Sequence, residues 1–159
     1  MKSWNERTHE VAYLLNPAFC GRLLYAAIKE YKHKTKHAIP FPLLYLILPL
    51  VLHKQTRIQI NSRTQLLQWV QIHQYLLIGF ARRAKELTLI TNEALELLLQ
   101  SDLLQITQDG ITTTQKALSK TRFVDSEIKE CITKSEHVAR WFAKTGKVET
   151  IYISLGVRP

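Results

Sequence analysis

Across residues 43–52 nearly every side chain is apolar: Leu43, Leu44, Leu46, Ile47, Leu48, Leu50, Val51 and Leu52 surround Tyr45 and Pro49. A helix that is apolar all round has no face to offer to water, so other elements must enclose it. The wider apolar run, 39–52, falls short of the thickness a membrane-spanning helix must cover, and Pro40, Pro42 and Pro49 interrupt it. It therefore reads as a buried central helix over 43–53, opened by Pro42 and kinked or ended at Pro49. No membrane partner is expected. The rest of the chain suffices to enclose it: 159 residues, 46% hydrophobic and only five Gly and five Pro, a size at which roughly 70% of the unfolded surface is buried. One domain, 1–159, is expected.

The flanking segments supply the cover. Asn16-Pro17 is a helix start, with Asn as cap and Pro at the first position, where its missing N–H costs nothing. Cys20, Leu23, Leu24, Ala27, Ile28 and Tyr31 then form one apolar stripe, and 32–37 reads as a polar basic loop. A third helix, capped by Asn61 or Ser62, points Leu66, Leu67 and Val70 inward and leaves Trp69 off the stripe. A fourth, 75–87, carries Leu77, Phe80, Ala81, Ala84 and Leu87 on one face. A fifth starts at Thr91 or Asn92, with Glu93 in its first turn and Leu95, Leu98 and Leu99 inward.

The period then changes. Residues 103–107 and 111–114 favour strand, and Asp109-Gly110 between them signals a hairpin with a type I′ turn, which needs positive φ at both central residues. Asp125 or Ser126 starts the last helix, with Ile128, Cys131, Ile132, Ser135, Ala139 and Phe142 inward and Gly146 beyond its end. The tail, 150–155, reads as a short strand paired with the hairpin. The fold class is mainly α: a basic helical half over 22–90, then helix, hairpin, long helix and terminal strand over 91–159. Helices followed by a two-stranded wing have the order of a winged helix-turn-helix.

Charge divides the chain. Residues 22–85 hold eleven bases (Arg22, Lys29, Lys32, Lys34, Lys36, Lys54, Arg57, Arg63, Arg82, Arg83, Lys85) and one acid, Glu30, whereas 86–136 hold nine acids and five bases; the whole chain is +9. A field this one-sided attracts an acidic protein face or nucleic acid. Lys29, Lys32, Lys34, Lys36, Lys54 and Arg63 are the candidate contacts for either. The helix before the hairpin carries Glu93 and Glu96, with Asp102 after it and no base, which makes it a poor reader of a phosphate-lined groove.

Catalytic patterns are missing. There is no glycine-rich phosphate loop, Gly-x-Ser-x-Gly or His-Glu-x-x-His. Two cysteines, Cys20 and Cys131, rule out a disulfide framework or a Cys-rich zinc module, and both lie on apolar stripes. His33 and His37 stand four apart but among lysines that disfavour a cation. No metal, cofactor or enzymatic activity is expected. The cysteine usage and the charged, polar MKSWNERTHE start fit a cytoplasmic protein. His53 and Arg57, at the end of the apolar helix, read either as a cap with a structural ion pair or as an anchor for an acidic partner. Trp69, Arg82, Arg83 and Lys85 complete the candidate partner-binding set, because exposed aromatic and Arg side chains make interface hot spots.

Several motifs occur in order: 14–20 (LLNPAFC), 40–43 (PFPL), 48–57 (LPLVLHKQTR), 140–143 (RWFA) and 156–159 (GVRP). Together they resemble the middle component of bacterial three-component ABC systems, a group that includes the Lamassu-type defence systems. The resemblance implies a small non-catalytic adaptor. It would bridge an ATPase resembling structural-maintenance-of-chromosomes (SMC) and Rad50 proteins to an effector, often a nuclease, and help to restrain or release it. DNA within such a complex is a possible further partner. The alternative function is a DNA-binding winged-helix-like module using the basic stretch 22–85.

Overall fold

A computed structural model describes residues 16–118 and 125–158; Leu14, Leu15 and Pro159 of the motifs above lie outside them. Helix α1 spans Pro17–Thr35, and the Asn16 side chain accepts from the Ala18 N–H at 2.8 Å. Its stripe is buried as read from the sequence. The helix runs one turn further than that reading: 32–35 are helical, and Lys36, at φ 63°, closes the end with its N–H on the Lys32 carbonyl. Lysines are good helix formers, and cations at a helix C-terminus complement its dipole.

A 3₁₀ turn, Phe41–Leu43, leads into α2, Leu44–Val51, whose residues other than Tyr45 are all buried. Pro49 sits inside the helix, which ends two residues later; its missing N–H leaves the Tyr45 carbonyl without its helical donor. Helix α2 is enclosed by α1 and by three further helices: α5, Phe80–Glu86; α6, Thr88–Gln100; and α7, Ser126–Thr145. The long helices α1, α6 and α7 form the frame. Asp125 caps α7 by accepting from the N–H groups of Glu127 and Ile128, and Gly146, at φ 81°, ends it.

The connecting helices depart from the periodicity. Short α3, Lys54–Arg57, follows α2. Helix α4, Leu66–Ile72, starts from Gln65, not from Asn61 or Ser62. Asn61 caps its own loop instead, its side-chain oxygen accepting from Arg63 N, Thr64 N and Thr64 Oγ1. The expected helix over 75–87 is broken: a 3₁₀ turn at Gln74–Leu77 precedes Gly79 at φ 77°, and α5 begins after it. Helix α6 begins at Thr88, ahead of both candidate caps. Thr91 is buried with its hydroxyl on the Leu87 carbonyl, and Asn92 accepts from the Tyr45 hydroxyl. Bonding back to the carbonyl four residues earlier lets the Thr91 hydroxyl stay satisfied while buried in the helix interior.

The hairpin is present: β1, Leu104–Thr107, pairs antiparallel with β2, Gly110–Thr113, with Thr107 opposite Gly110. The turn centre is therefore Gln108-Asp109, and neither has positive φ, so the turn is not type I′. Gly110, at φ 150°, is instead the first paired residue of β2. The terminal strand is a correction: Val148–Ser154 forms helix α8, with Ile151 and Tyr152 buried. The hairpin finds its extra pairing in Ile39, which exchanges both backbone hydrogen bonds with Ile111 at 3.0 Å. Spacing Ile151 and Tyr152 against Leu155 suits a helix face, and all three join the core. The molecule is mainly helical with a small two-stranded antiparallel sheet, and short helices followed by a hairpin keep the winged-helix order. No helix among the described residues is long and apolar enough to cross a membrane.

Candidate partner interface

Arg57 is 3% exposed. Its Nη2 donates to Glu127 at 2.7 Å, its Nε to Glu130 at 3.0 Å and its Nη1 to the Val51 carbonyl at 3.0 Å. The guanidinium thus joins the end of α2 to the first turns of α7 and has little left for a partner. The structural ion pair is the reading that the geometry favours. His53 is half-buried with Nδ1 at 2.7 Å from the Thr56 hydroxyl, and burial first, then Arg83, pushes its pKa down. Neither residue is the exposed anchor that the sequence allowed.

Substituting Arg57 by Ala removes three charge-assisted bonds and orphans the Val51 carbonyl. We expect a loss of about 2–3 kcal/mol in urea unfolding. Replacing Glu127 and Glu130 together by Gln should cost less, since both carboxylates reach solvent.

Trp69 is fully buried, which corrects its expected exposure. Helix α4 turns Leu66 and Trp69 inward, three apart, and leaves Leu67 in solvent. The Trp69 ring lies 5.2 Å from Trp141 and 4.9 Å from His73, and its N–H donates to the Gln59 carbonyl at 2.9 Å. Trp141 donates to the Thr64 carbonyl at 2.7 Å, and Lys134 donates to that of Ile60. The 59–64 loop is thereby held against α7.

The other candidates remain at the surface. Arg82 is exposed and paired with Glu86 at 3.0 Å, and Lys85 is exposed. Arg83 is half-buried: its guanidinium lies 5.5 Å from the Phe80 ring centroid, one nitrogen donates to the Leu76 carbonyl, and burial pushes its pKa down. On α4 Leu67 and Ile72, and in the following segment Tyr75 and Ile78, all reach solvent, Ile78 at 79% exposure. The exposure of Leu67 runs against the helix phase expected from the sequence, which turned it inward.

Of the nucleic-acid candidates, Lys29, Lys32 and Lys34 are exposed along the C-terminal half of α1, Lys36 is exposed at its end, and Lys54 and Arg63 are exposed elsewhere. Lys32 also reaches the Thr113 carbonyl at 3.3 Å. The structure brings Lys34 beside three residues of α7 that the sequence reading left out of the site: His137, Arg140 and Lys144 line one cleft with it. Their i, i+3, i+7 spacing on a long helix was a legible signal; the approach of Lys34 was not.

Cys20 and Cys131 are both buried, and burial pushes the Cys131 thiol up to about 11 against the pull of Arg57. At pH 7 its thiolate fraction is on the order of 10⁻⁴. Iodoacetamide at pH 7 should leave Cys131 unmodified in the native chain and label it once urea unfolds the protein, as read by peptide mass spectrometry. No group of His, Cys, Asp and Glu able to hold a metal occurs among the described residues.

No curated protein and no solved structure matches this chain. The family model described as ABC-three component (ABC-3C) system Middle Component 3 matches residues 4–159. With that match spanning nearly the whole sequence, the chain belongs to the Middle Component 3 family and is a component of a three-part ABC system.

Proposed function

We propose that this chain is the non-catalytic adaptor of its system, a cytoplasmic protein that links an SMC- and Rad50-like ABC ATPase to an effector, a nuclease, in Lamassu-like defence against phages and plasmids. The observation that carries the reading is the segment 67–78, in which Leu67, Ile72, Tyr75 and Ile78 are all exposed, followed by the exposed cations Arg82 and Lys85. Large apolar side chains gathered in one exposed segment mark a protein contact. The stretch 31–85 contains no acid, so the complementary surface is apolar with a rim of Asp and Glu on a companion subunit. Arg82 and Lys85 supply the rim charges. His53, Arg57 and Trp69 serve this surface indirectly, by fixing the helices and the loop around it.

The test is co-expression with the ATPase and effector encoded beside it, followed by size-exclusion chromatography. The three chains should elute together. Tyr75→Asp with Ile78→Asp should reduce co-elution at least tenfold with an unchanged melting temperature, because both side chains are already solvated. Elution of the unaltered chain alone, in the presence of both companions, would refute the adaptor role.

A further inference from the structure

Three elements distant in sequence close a cleft of about 390 Å³. The C-terminal end of α1 contributes Lys34 and Thr35, the 61–65 loop contributes Asn61, Ser62, Thr64 and Gln65, and the second half of α7 contributes His137, Arg140 and Lys144 beside Trp141 and Ala143. No acidic side chain lines it. The nearest counter-charge is Glu30, which holds Arg140 Nε at 2.9 Å, with Glu136 more loosely on the same guanidinium at 3.8 Å. Lys34 and Lys144 make no ion pair among the described residues and are exposed. Burial first, then Arg140 and Lys134, pushes the His137 pKa down, with Glu30 pulling the other way. The cations that the cleft leaves unpaired among the described residues are Lys34 and Lys144, with Arg140 held by Glu30.

The loop wall, opposite the cations, is fixed in place. The loop is stapled by Trp69, Trp141 and Lys134 through its carbonyls, and Asn61 closes it with its own Asx bonds. Outside the cleft the positive charge continues along α1. Lys29 and Lys32, one turn apart on α1, and Lys36, the left-handed residue that ends the helix, are all exposed. From Lys29 to the last helical residue, Thr35, α1 rises about 9 Å, a length that passes about three phosphates of one nucleic-acid strand. A small anion would fill the cleft and leave those lysines untouched; a polymer of phosphates would engage both.

We infer that this end of the molecule grips the phosphodiester backbone of nucleic acid, one phosphate seated between Lys34 and Lys144 and its neighbours met by the lysines of α1. The contacts are to backbone alone, so binding is independent of base sequence. This is a separate surface from the segment 67–78, and the inference does not rest on the adaptor reading.

Fluorescence anisotropy of a labelled 20-base-pair duplex with the full chain tests it. Binding should be measurable at 50 mM salt and should weaken with a log–log slope of about −3, as expected when three or four phosphates are neutralised. Lys34→Glu and Lys144→Glu should each weaken it at least tenfold. Lys129→Glu makes the same charge change at an exposed site outside the cleft and should stay within threefold. Circular dichroism would confirm that each variant folds. A parallel titration with adenosine monophosphate and inorganic phosphate, followed by calorimetry, separates the sources. No duplex binding at 50 mM salt, equal weakening by Lys129→Glu, or binding of the small anions without the duplex would each overturn the inference.

Discussion

Trp69→Ala should destabilise the protein by roughly 3–5 kcal/mol, enough to consume a large share of the 5–15 kcal/mol typical of a whole domain. The indole is fully buried, stacks at a tilt against Trp141 and His73, and holds the Gln59 carbonyl with its N–H. Truncation leaves a cavity between α4 and α7 and releases one of the staples of the 59–64 loop. For a chain of 159 residues this is a fall of about 10 °C or more in Tm. Trp69→Phe keeps most of the ring packing and loses the hydrogen bond, so it should cost about 1–2 kcal/mol. Urea unfolding of the two variants gives the comparison. A loss below 1 kcal/mol for the alanine variant would contradict the burial described above. The same loop forms one wall of the basic cleft, so Trp69→Ala should also weaken duplex binding, although the residue touches no phosphate.

Gly110→Ala should be nearly as damaging, for a backbone reason. Gly110 has φ 150°, and a Cβ there would land on the Ile39 carbonyl and crowd the Pro40 backbone. Backbone cannot swing aside as a flexible side chain can. Accommodating the methyl group requires breaking the Ile39–Ile111 bridge with its two hydrogen bonds, at about 2–4 kcal/mol including the strained φ. Gly79 provides the comparison. Its φ is 77°, but nothing lies within 4 Å of where a Cβ would sit, so Gly79→Ala should cost only the left-handed backbone term, about 1 kcal/mol. Equal losses for the two variants would show that the approach of Ile39 is not what requires a glycine at position 110.

Several features of this protein were legible before any coordinates. The Asn16-Pro17 start, the α1 stripe, the enclosed apolar helix, the hairpin and the Asp125-capped α7 are each dictated by neighbours within about four residues: a cap, a proline, a period. The family motifs are also strings of adjacent residues. The charge segregation that motivated a partner or nucleic acid is likewise a property of the chain itself.

What the chain alone left undecided turns on contacts between residues far apart. A helix phase set from Leu67 and Val70 leaves Trp69 exposed. The nearby Trp141 from α7 instead selects the face with Leu66 and Trp69. Arg57 was open between an internal and an external acid until Glu127 and Glu130, some seventy residues later, arrived within hydrogen-bonding distance. Tail residues 150–155 have β-branched side chains suited to a strand, but Ile151, Tyr152 and Leu155 reach the core together on one face of helix α8. The cleft exists only because the end of α1 and the second half of α7 are held side by side, with Glu30 bonded to Arg140 across them. Local sequence sets which elements form; which face each one buries, and which charges meet, follows from the packing free energy of the assembled core, to which no single segment has access.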